Sequence, residues 1–483
     1  MDLFRRTFLQ WAALVAAACG KTEESDDAPP IDPARTTPEG DGGPPTTNPP
    51  GSEDGGPPPT TVPGVDLDNI PARAAAFPYG VMGGDATATN AMLWTQLVGA
   101  GTLHVQIEAE DTVKGTAVMN RAVAAAEKGD GGFVHVDAGG LTAGKRYRYA
   151  FFLVEAGQPV ARSPIGTVRA ALAPGALEVI TFGGTSCTHQ IQGAPYPLLS
   201  DAAKRKLDFF IHGGDHVYCD ADADAVTLAQ YRTKYGQAWA TAGMRALHGS
   251  TGMVLTWDDH EIANNWNPET FPAARLDAAR TAFFEHRALR RNTAVPNRLW
   301  RSLVWGNTLE VLVLDARSER KPSTRNAANA QFISPAQMTW LKDRLKTSTA
   351  VFKLVVTSVP ISNFPLAASG EADKWEGYPA QREELLDFVE AEKLKGVFWL
   401  SGDLHFGSAG GVGATGARRQ MIEVLMGPGG TTAGDPNLPA AQFDRAINQK
   451  NYTVFRADPI KKELAVEFIG ANGVSIFKKT YPA

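Results

Sequence analysis

The chain has 483 residues, 43% of them hydrophobic, and a formal net charge of −5. That length has room for two or three domains around sizeable cores. The acidity is local: residues 19–70 hold 11 Asp/Glu against 2 Lys/Arg, and the body from Pro71 on is close to neutral. No basic block argues for nucleic acid.

The N-terminus comes first. Arg5-Arg6-Thr7-Phe8-Leu9-Gln10 resembles a twin-arginine export signal. The apolar stretch from Phe8 to Ala18 is too short to span a bilayer and reads as a signal h-region. Cys19 follows Ala16-Ala17-Ala18, which fits lipoprotein cleavage with Ala16 where Leu is usual, or ordinary cleavage after an Ala-x-Ala site. Residues 1–19 are therefore expected to be a signal peptide, with Cys19 as a lipidation point. The expected location is the periplasm or outer surface. The twin-arginine machinery is the expected partner, and the anchor the one membrane contact. Residues 20–70 are rich in Pro, Gly, Asp, Glu and Thr and cannot bury enough apolar surface to fold. They read as a tether reaching about 40 Å or more.

Residues 71–172 are expected to form a small all-β sandwich of the fibronectin or immunoglobulin type. Leu103, Val105 and Ile107 alternate with polar neighbours, as do Tyr147, Tyr149 and Phe151. Phe133, Val134 and Val136 interleave with His135 and Asp137. Leu141–Tyr147 resembles the turn before a late strand of fibronectin-type domains.

The texture changes over 173–483. Short apolar runs at Leu177–Phe182, Leu207–Ile211, Met253–Trp257, Leu309–Leu314, Phe352–Val359 and Val397–Leu400 read as strands. Helical patterns at Leu276–Arg291, Pro335–Thr347 and Gln381–Lys395 separate several of them, which predicts an α/β domain. Tyr452–Ala457 and Leu464–Ile469 read as a closing hairpin.

Four polar clusters each follow an apolar run: Thr185-Ser186-Cys187, Gly214-Asp215-His216-Val217-Tyr218, Trp257-Asp258-Asp259-His260-Glu261 and Gly402-Asp403-Leu404-His405. If the runs are parallel strands of one sheet, the clusters meet at its carboxyl edge, where open α/β sheets bind ligands. Taken singly each has a bland reading: a turn, a cap, a core Tyr218, a buried Cys187 or a Cys187–Cys219 disulfide. Together they read as a dinuclear metal centre. Cys187 offers a thiolate, His405 an imidazole and Tyr218 a phenolate that favours ferric iron. Asp215 can bridge to a second ion. Asp259 and Asp403 add hard oxygens that suit calcium, magnesium or manganese. Two ions about 3.5–4 Å apart can activate water and hold a phosphoryl group for in-line attack. His260 is the candidate general acid, with Asp258 or Glu261 to orient its ring. Asn264 and Asn265 are placed to ligate or to hydrogen-bond phosphate.

These residues resemble the alkaline phosphatase D (PhoD-like) family of calcineurin-like metallophosphoesterases. The motifs are Gly214-Asp215-x-x-Tyr218, Trp257-Asp258-Asp259-His260-Glu261 with Asn264-Asn265-Trp266, and Gly402-Asp403-x-His405. Lys374–Pro379, Leu312–Arg317 and Phe77–Val81 support them. The resemblance implies a four-layer αββα sandwich. It places ferric iron on Cys187, Asp215, Tyr218 and His405. It places a second ion, calcium in the best-known members, on Asp215, Asp403 and Asp259 or Asn264. Arg232 would face the substrate. His216, Cys219-Asp220 and Phe406-Gly407 depart from the commoner residues around these ligands.

The expected function is that of an exported metal-dependent phosphoric ester hydrolase. One alternative keeps the chemistry but prefers diesters, as in phosphodiesterase or phospholipase D-type action on lipid or cell-wall substrates. Another is a non-catalytic surface binding protein whose sandwich is the working part.

Overall fold

The computed structural model describes residues 61–364, 373–434 and 436–483. The signal region, Cys19 and residues 20–60 of the tether lie outside the described residues. Among the described residues, no helix is long and apolar enough to cross a membrane.

The apolar runs become strands of two large sheets. A nine-stranded sheet orders Ser475–Pro482, Glu463–Ile469, Tyr452–Asp458, Ile180–Thr185, Phe209–His212, Gly252–Leu255, Val81–Gly84, Ala91–Gln96 and Phe133–Ala138. A seven-stranded sheet orders Arg301–Trp305, Leu309–Val313, Phe352–Val356, Val397–Ser401, Ile422–Leu425, Gly407–Gly411 and Phe443–Ile447. Side chains alternate between the two faces of each strand, and each face has its own core. Phe209, Ile211, Val254, Val311, Val313, Leu354, Val356, Phe398 and Leu400 fill the layer between the sheets. Phe210, Met253 and Leu255 point the other way, onto helices Leu228–Trp239, Ala242–Ser250 and Ala273–Glu285. Leu312, Val355 and Trp399 do the same beneath helices Pro335–Thr347 and Pro379–Ala391. The result is the expected αββα sandwich. Its strands are buried on both faces, which is why they read as continuous apolar runs.

Three of the four clusters leave one sheet. Strands Ile180–Thr185, Phe209–His212 and Gly252–Leu255 are parallel neighbours. The fourth, Val397–Ser401, belongs to the other sheet, parallel to Phe352–Val356 and Ile422–Leu425. The clusters therefore meet where the carboxyl ends of two packed sheets come together, not along the edge of one. An apolar run carries no mark of which sheet it joins.

The all-β region is present as expected, and it is joined to the larger body through a sheet. Thr102–Ala109, Met119–Ala122, Arg146–Glu155, Gln158–Arg162 and Gly166–Arg169 make a five-stranded antiparallel sheet. Val105, Ile107, Tyr147, Tyr149 and Phe151 pack it against Leu93, Val134 and Val136. The Tyr147 hydroxyl accepts the Thr142 N–H at 2.6 Å, which fixes the turn that the sequence marks. The strands it faces, however, continue the nine-stranded sheet, because Val81–Gly84 pairs in parallel with Gly252–Leu255. At that seam a Cβ on Gly84 would lie 2.1 Å from Ala288 O and 3.0 Å from Met253 O. Gly84→Ala should cost about 1–3 kcal/mol by overpacking against backbone that cannot yield. The check is the thermal unfolding midpoint: a clear fall is expected, and an unchanged midpoint would contradict the seam.

Candidate metal centre

The loops after the strands turn abruptly. Cys187, Asp215 and Asp403 have φ of 55°, 56° and 73°, and Asn265 has 50°. These are left-handed conformations that cost non-glycine residues about 1–3 kcal/mol and concentrate at functional sites. Gly214 is needed for a neighbouring reason. Its φ is 110°, and a Cβ there would lie 2.6 Å from Asp258 Cβ, so two loops pass in close contact. Ser186 joins the two sheets, its hydroxyl donating to Met426 O at 2.6 Å.

Three overlapping groups result. Cys187, Asp215 and His405 present ligand atoms within 4.8 Å of one another, as do Asp215, Asp259 and His260, and Asp258, Asp259 and Asp403. Asp215 joins the first two groups, and Asp259 the last two. The Tyr218 hydroxyl belongs with the first: it is 3.1 Å from Asp215 Oδ2 and 3.2 Å from His405 Nε2. Thr431 Oγ1, 3.1 Å from the same hydroxyl, donates to Cys187 O at 2.8 Å and braces this corner. Cys187 and Cys219 are both free, buried thiols, so the disulfide alternative is not realised. Cys219 lies in the helical core.

Asp258 is not available in the same way as Asp259 and Asp403. Both of its oxygens are held by the fully buried Arg317, at 2.5 and 2.9 Å. The same guanidinium bonds Asp373 Oδ2 at 2.6 Å and lies 3.6 Å from Asp259 and 3.5 Å from Asp403. Asn265 completes this side. Its backbone N–H donates to Asp259 Oδ2 at 2.6 Å, and its amide nitrogen faces Asp373 Oδ2 at 2.5 Å and Asp259 Oδ2 at 3.1 Å.

His260 is part-exposed at the mouth, its ring 4.0 Å from that of Tyr218. The sequence suggested Asp258 or Glu261 as its orienting partner, but Asp220 takes that place, with both oxygens 2.8–2.9 Å from Nδ1. The reason is prior engagement: Asp258 is tied to Arg317, and Glu261 accepts the backbone N–H groups of Asp215, His216 and Asp258. Asn264 is exposed, and what it brings to the cluster is its backbone N–H, 2.6 Å from Asp220 Oδ2. Arg232 is the main departure. It forms a two-pronged pair with Glu285 at 2.5 and 2.7 Å and lies over the Phe133 ring. None of these contacts belongs to the cluster, so the structure does not bring Arg232 together with the other candidate site residues.

The electrostatics test whether these residues suit cations. Burial pushes the Asp215 carboxyl well above its ordinary range, with Asp259 and Asp258 adding to it. Burial, then Asp258 and Asp373, do the same to Asp403. Burial followed by Asp215 raises both the Cys187 thiol and the Tyr218 phenol. Burial lowers His405 to about 4. Every one of these shifts opposes the charge carried by the group, and a bound cation reverses the penalty on anionic ligands while favouring a neutral imidazole. His260 behaves differently. Burial works against its charge, but Asp259, Asp215 and Asp220 outweigh that and hold its proton well above the usual range. The cluster therefore suits cations, with a separate protonated group beside it.

Sequence reasoning gave no role to Asp220, Arg317, Asp373, Thr431 or His189, whose ring lies 4.5 Å from that of Tyr218. A signal existed for Arg317. It follows Leu309–Val313 in Asp315-Ala316-Arg317, one more polar cluster after an apolar run, and Asp315 accepts its backbone N–H at 3.1 Å.

Comparison with known proteins bears on this geometry. A family model described as PhoD-like phosphatase matches residues 181–459, and one for the N-terminal domain of PhoD-like phosphatases matches residues 64–172. Alkaline phosphatase D of Bacillus subtilis (strain 168) is 30% identical over 382 residues. That match covers 68% of this chain and 64% of the relative's length. A solved PhoD structure superposes with a TM-score of 0.72 at 24% identity, covering 84% of this chain and 89% of the other. Purple acid phosphatase PPD1 from yellow lupin (Lupinus luteus) seeds gives 0.60 at 12% identity, over 84% and 74%. These two likenesses bear on the fold alone. The family match spans more than half of the chain, and the chain belongs to the PhoD-like phosphatase family.

Proposed function

We propose that this protein is an exported, metal-dependent phosphoric ester hydrolase with an alkaline phosphatase D-like activity. The observation that carries the reading is the run of three overlapping ligand groups joined through Asp215 and Asp259. Cys187, Asp215, Tyr218 and His405 would hold a ferric ion, the thiol, phenol and imidazole being its matching donors. Asp215, Asp259 and Asp403 would hold a second, oxygen-seeking ion, with calcium preferred over magnesium or manganese. When bound, such a pair of ions supplies activated water and charge stabilisation for in-line displacement at phosphorus.

The chain's own residues do the rest. Asp220 holds His260 Nδ1, so that Nε2 would be the atom that gives a proton to a leaving oxygen. Asp258 acts through Arg317, keeping that cation behind Asp259 and Asp403. Asn265 orients Asp259 through two donors. Glu261 braces the backbone of the Asp215 loop. Residues 1–19 would direct export through the twin-arginine machinery, and Cys19 would anchor the chain through the 20–70 tether at the periplasmic or outer surface. The body would meet small-molecule, lipid or cell-wall phosphate esters.

A second reading, preference for diesters, has one observation in its favour. Leu404 and Phe406 flank His405, and Phe364, Phe406 and Phe443 form an apolar cluster beside it. The three rings are themselves buried, and the half-buried Leu404 is the apolar side chain they support toward a substrate with a second, apolar substituent.

Elemental analysis of protein matured in its own host should find iron and a second divalent ion, and chelation should remove activity that the two ions restore. Full activity in metal-free protein would overturn the reading. His260→Ala should lower kcat by about 10²–10⁴-fold on alkyl phosphates. The loss should be smaller on aryl phosphates, whose leaving groups need no proton. Equal losses on both series would remove the acid role. Turnover of mono- and bis-aryl phosphates separates the two readings, since a strong monoester preference tells against the diester one.

A further inference from the structure

Three backbone N–H groups of the ligand loops end on one carboxylate. Glu261 accepts His216 N at 2.8 Å on Oε1, and Asp215 N at 3.1 Å and Asp258 N at 2.9 Å on Oε2. It thus ties the loop after Phe209–His212 to the loop after Gly252–Leu255. Glu261 is fully buried, and a carboxylate removed from water needs a counter-charge. Arg287 supplies it, with a terminal guanidinium nitrogen 3.6 Å from Glu261 Oε1. Among the described residues, Glu261 is the one ion-pair partner recorded for Arg287.

Arg287 is itself fully buried and sits in an aromatic box. Its guanidinium carbon lies 4.4 Å from the Phe283 ring centroid and 5.0 Å from those of Tyr235 and Trp239. These rings come from helices Ala273–Glu285 and Leu228–Trp239, the layer packed outside the nine-stranded sheet. Ring faces attract a cation most strongly when it is desolvated. They hold the charge without competing for Glu261, so the carboxylate remains free to take the three N–H groups.

We infer that Arg287 is a positioning residue for the metal centre: it fixes the Glu261 carboxylate at the point where that group sets the spacing of the Asp215 and Asp259 loops. The role rests on the metal reading proposed above. It runs through a residue that touches neither ion nor substrate. Glu261 stands one shell behind the ligands, where partners are worth about 10–100-fold in metal affinity, and Arg287 acts through it.

The test uses the full chain, stripped with chelator and titrated with Ca²⁺ by calorimetry, together with iron content as isolated. Arg287→Met and Glu261→Gln should each weaken Ca²⁺ binding by about 10–100-fold. The double variant should be no worse than the weaker single, because both changes break one linkage. Arg287→Lys should recover part of the loss by restoring the charge. A folded Arg287→Met or Glu261→Gln protein with wild-type Ca²⁺ affinity and iron content overturns the inference, and so does a double variant whose loss is the product of the two singles. If Arg287→Met does not fold, Arg287→Lys carries the test: a weaker Ca²⁺ affinity than wild type is expected, and an unchanged affinity overturns the inference. Wild-type protein that takes up neither ion would overturn the metal reading and this role with it, so the wild type tells the two failures apart.

Discussion

One buried guanidinium holds the acidic half of the centre in place. Arg317 is fully enclosed, bonds Asp258 and Asp373, and stands 3.5–3.6 Å from Asp403 and Asp259. Its carboxylate neighbours come from different places: two from the loop after Gly252–Leu255, one from the loop after Val397–Ser401, and one from the segment before the Pro379–Ala391 helix. Without a central cation such a gathering of carboxylates is untenable. Removing one partner of a buried pair typically costs 3–5 kcal/mol, because a charge is left behind. Arg317 therefore decides which carboxylates are spent on structure and which remain for ions. Asp258 gives both oxygens to it, while Asp259 and Asp403 keep oxygens to offer.

The two sheets are the second condition. Cys187, Tyr218 and Asp215 lie on one, and Asp403 and His405 on the other. The spacing between these sets is set by the apolar layer of Phe209, Ile211, Val313, Val356 and Leu400. Each such side chain contributes about 1.5–3 kcal/mol when buried. That layer carries the cost of holding Cys187, Asp215 and Asp403 in left-handed conformations. Strain at the strand ends and order between the sheets are two sides of one arrangement.

How much of this the sequence discloses depends on whether the signal is local. The helix Pro335–Thr347 is legible to the residue: Ser334 caps Gln337 N at 3.2 Å, Pro335 opens the first turn, and Arg344 and Lys346 close the last. The doubly buried strands are legible as apolar runs, and the ligand clusters as the polar residues that end them. Three things are not. The sheet to which Val397–Ser401 belongs is set by partners far away in the chain. The pairing of Asp220 with His260 spans 40 residues, and at the sequence level Asp220 looked like a departure from the commoner pattern. Arg232 sits in a helix whose sequence cannot say that Glu285, 53 residues on, will claim it.

The seam between Val81–Gly84 and Gly252–Leu255 has a consequence for how the chain can be divided. An appended module joined by a linker can be lost, exchanged or moved without injury to its neighbour. Here the join is a row of backbone hydrogen bonds, and the strand just inside it carries the Asp258–Glu261 loop at its end. Cutting the N-terminal strands away would turn an interior strand into a bare edge, open to pairing with any other chain. The β-rich region and the larger body are thus separate in sequence texture but share one sheet.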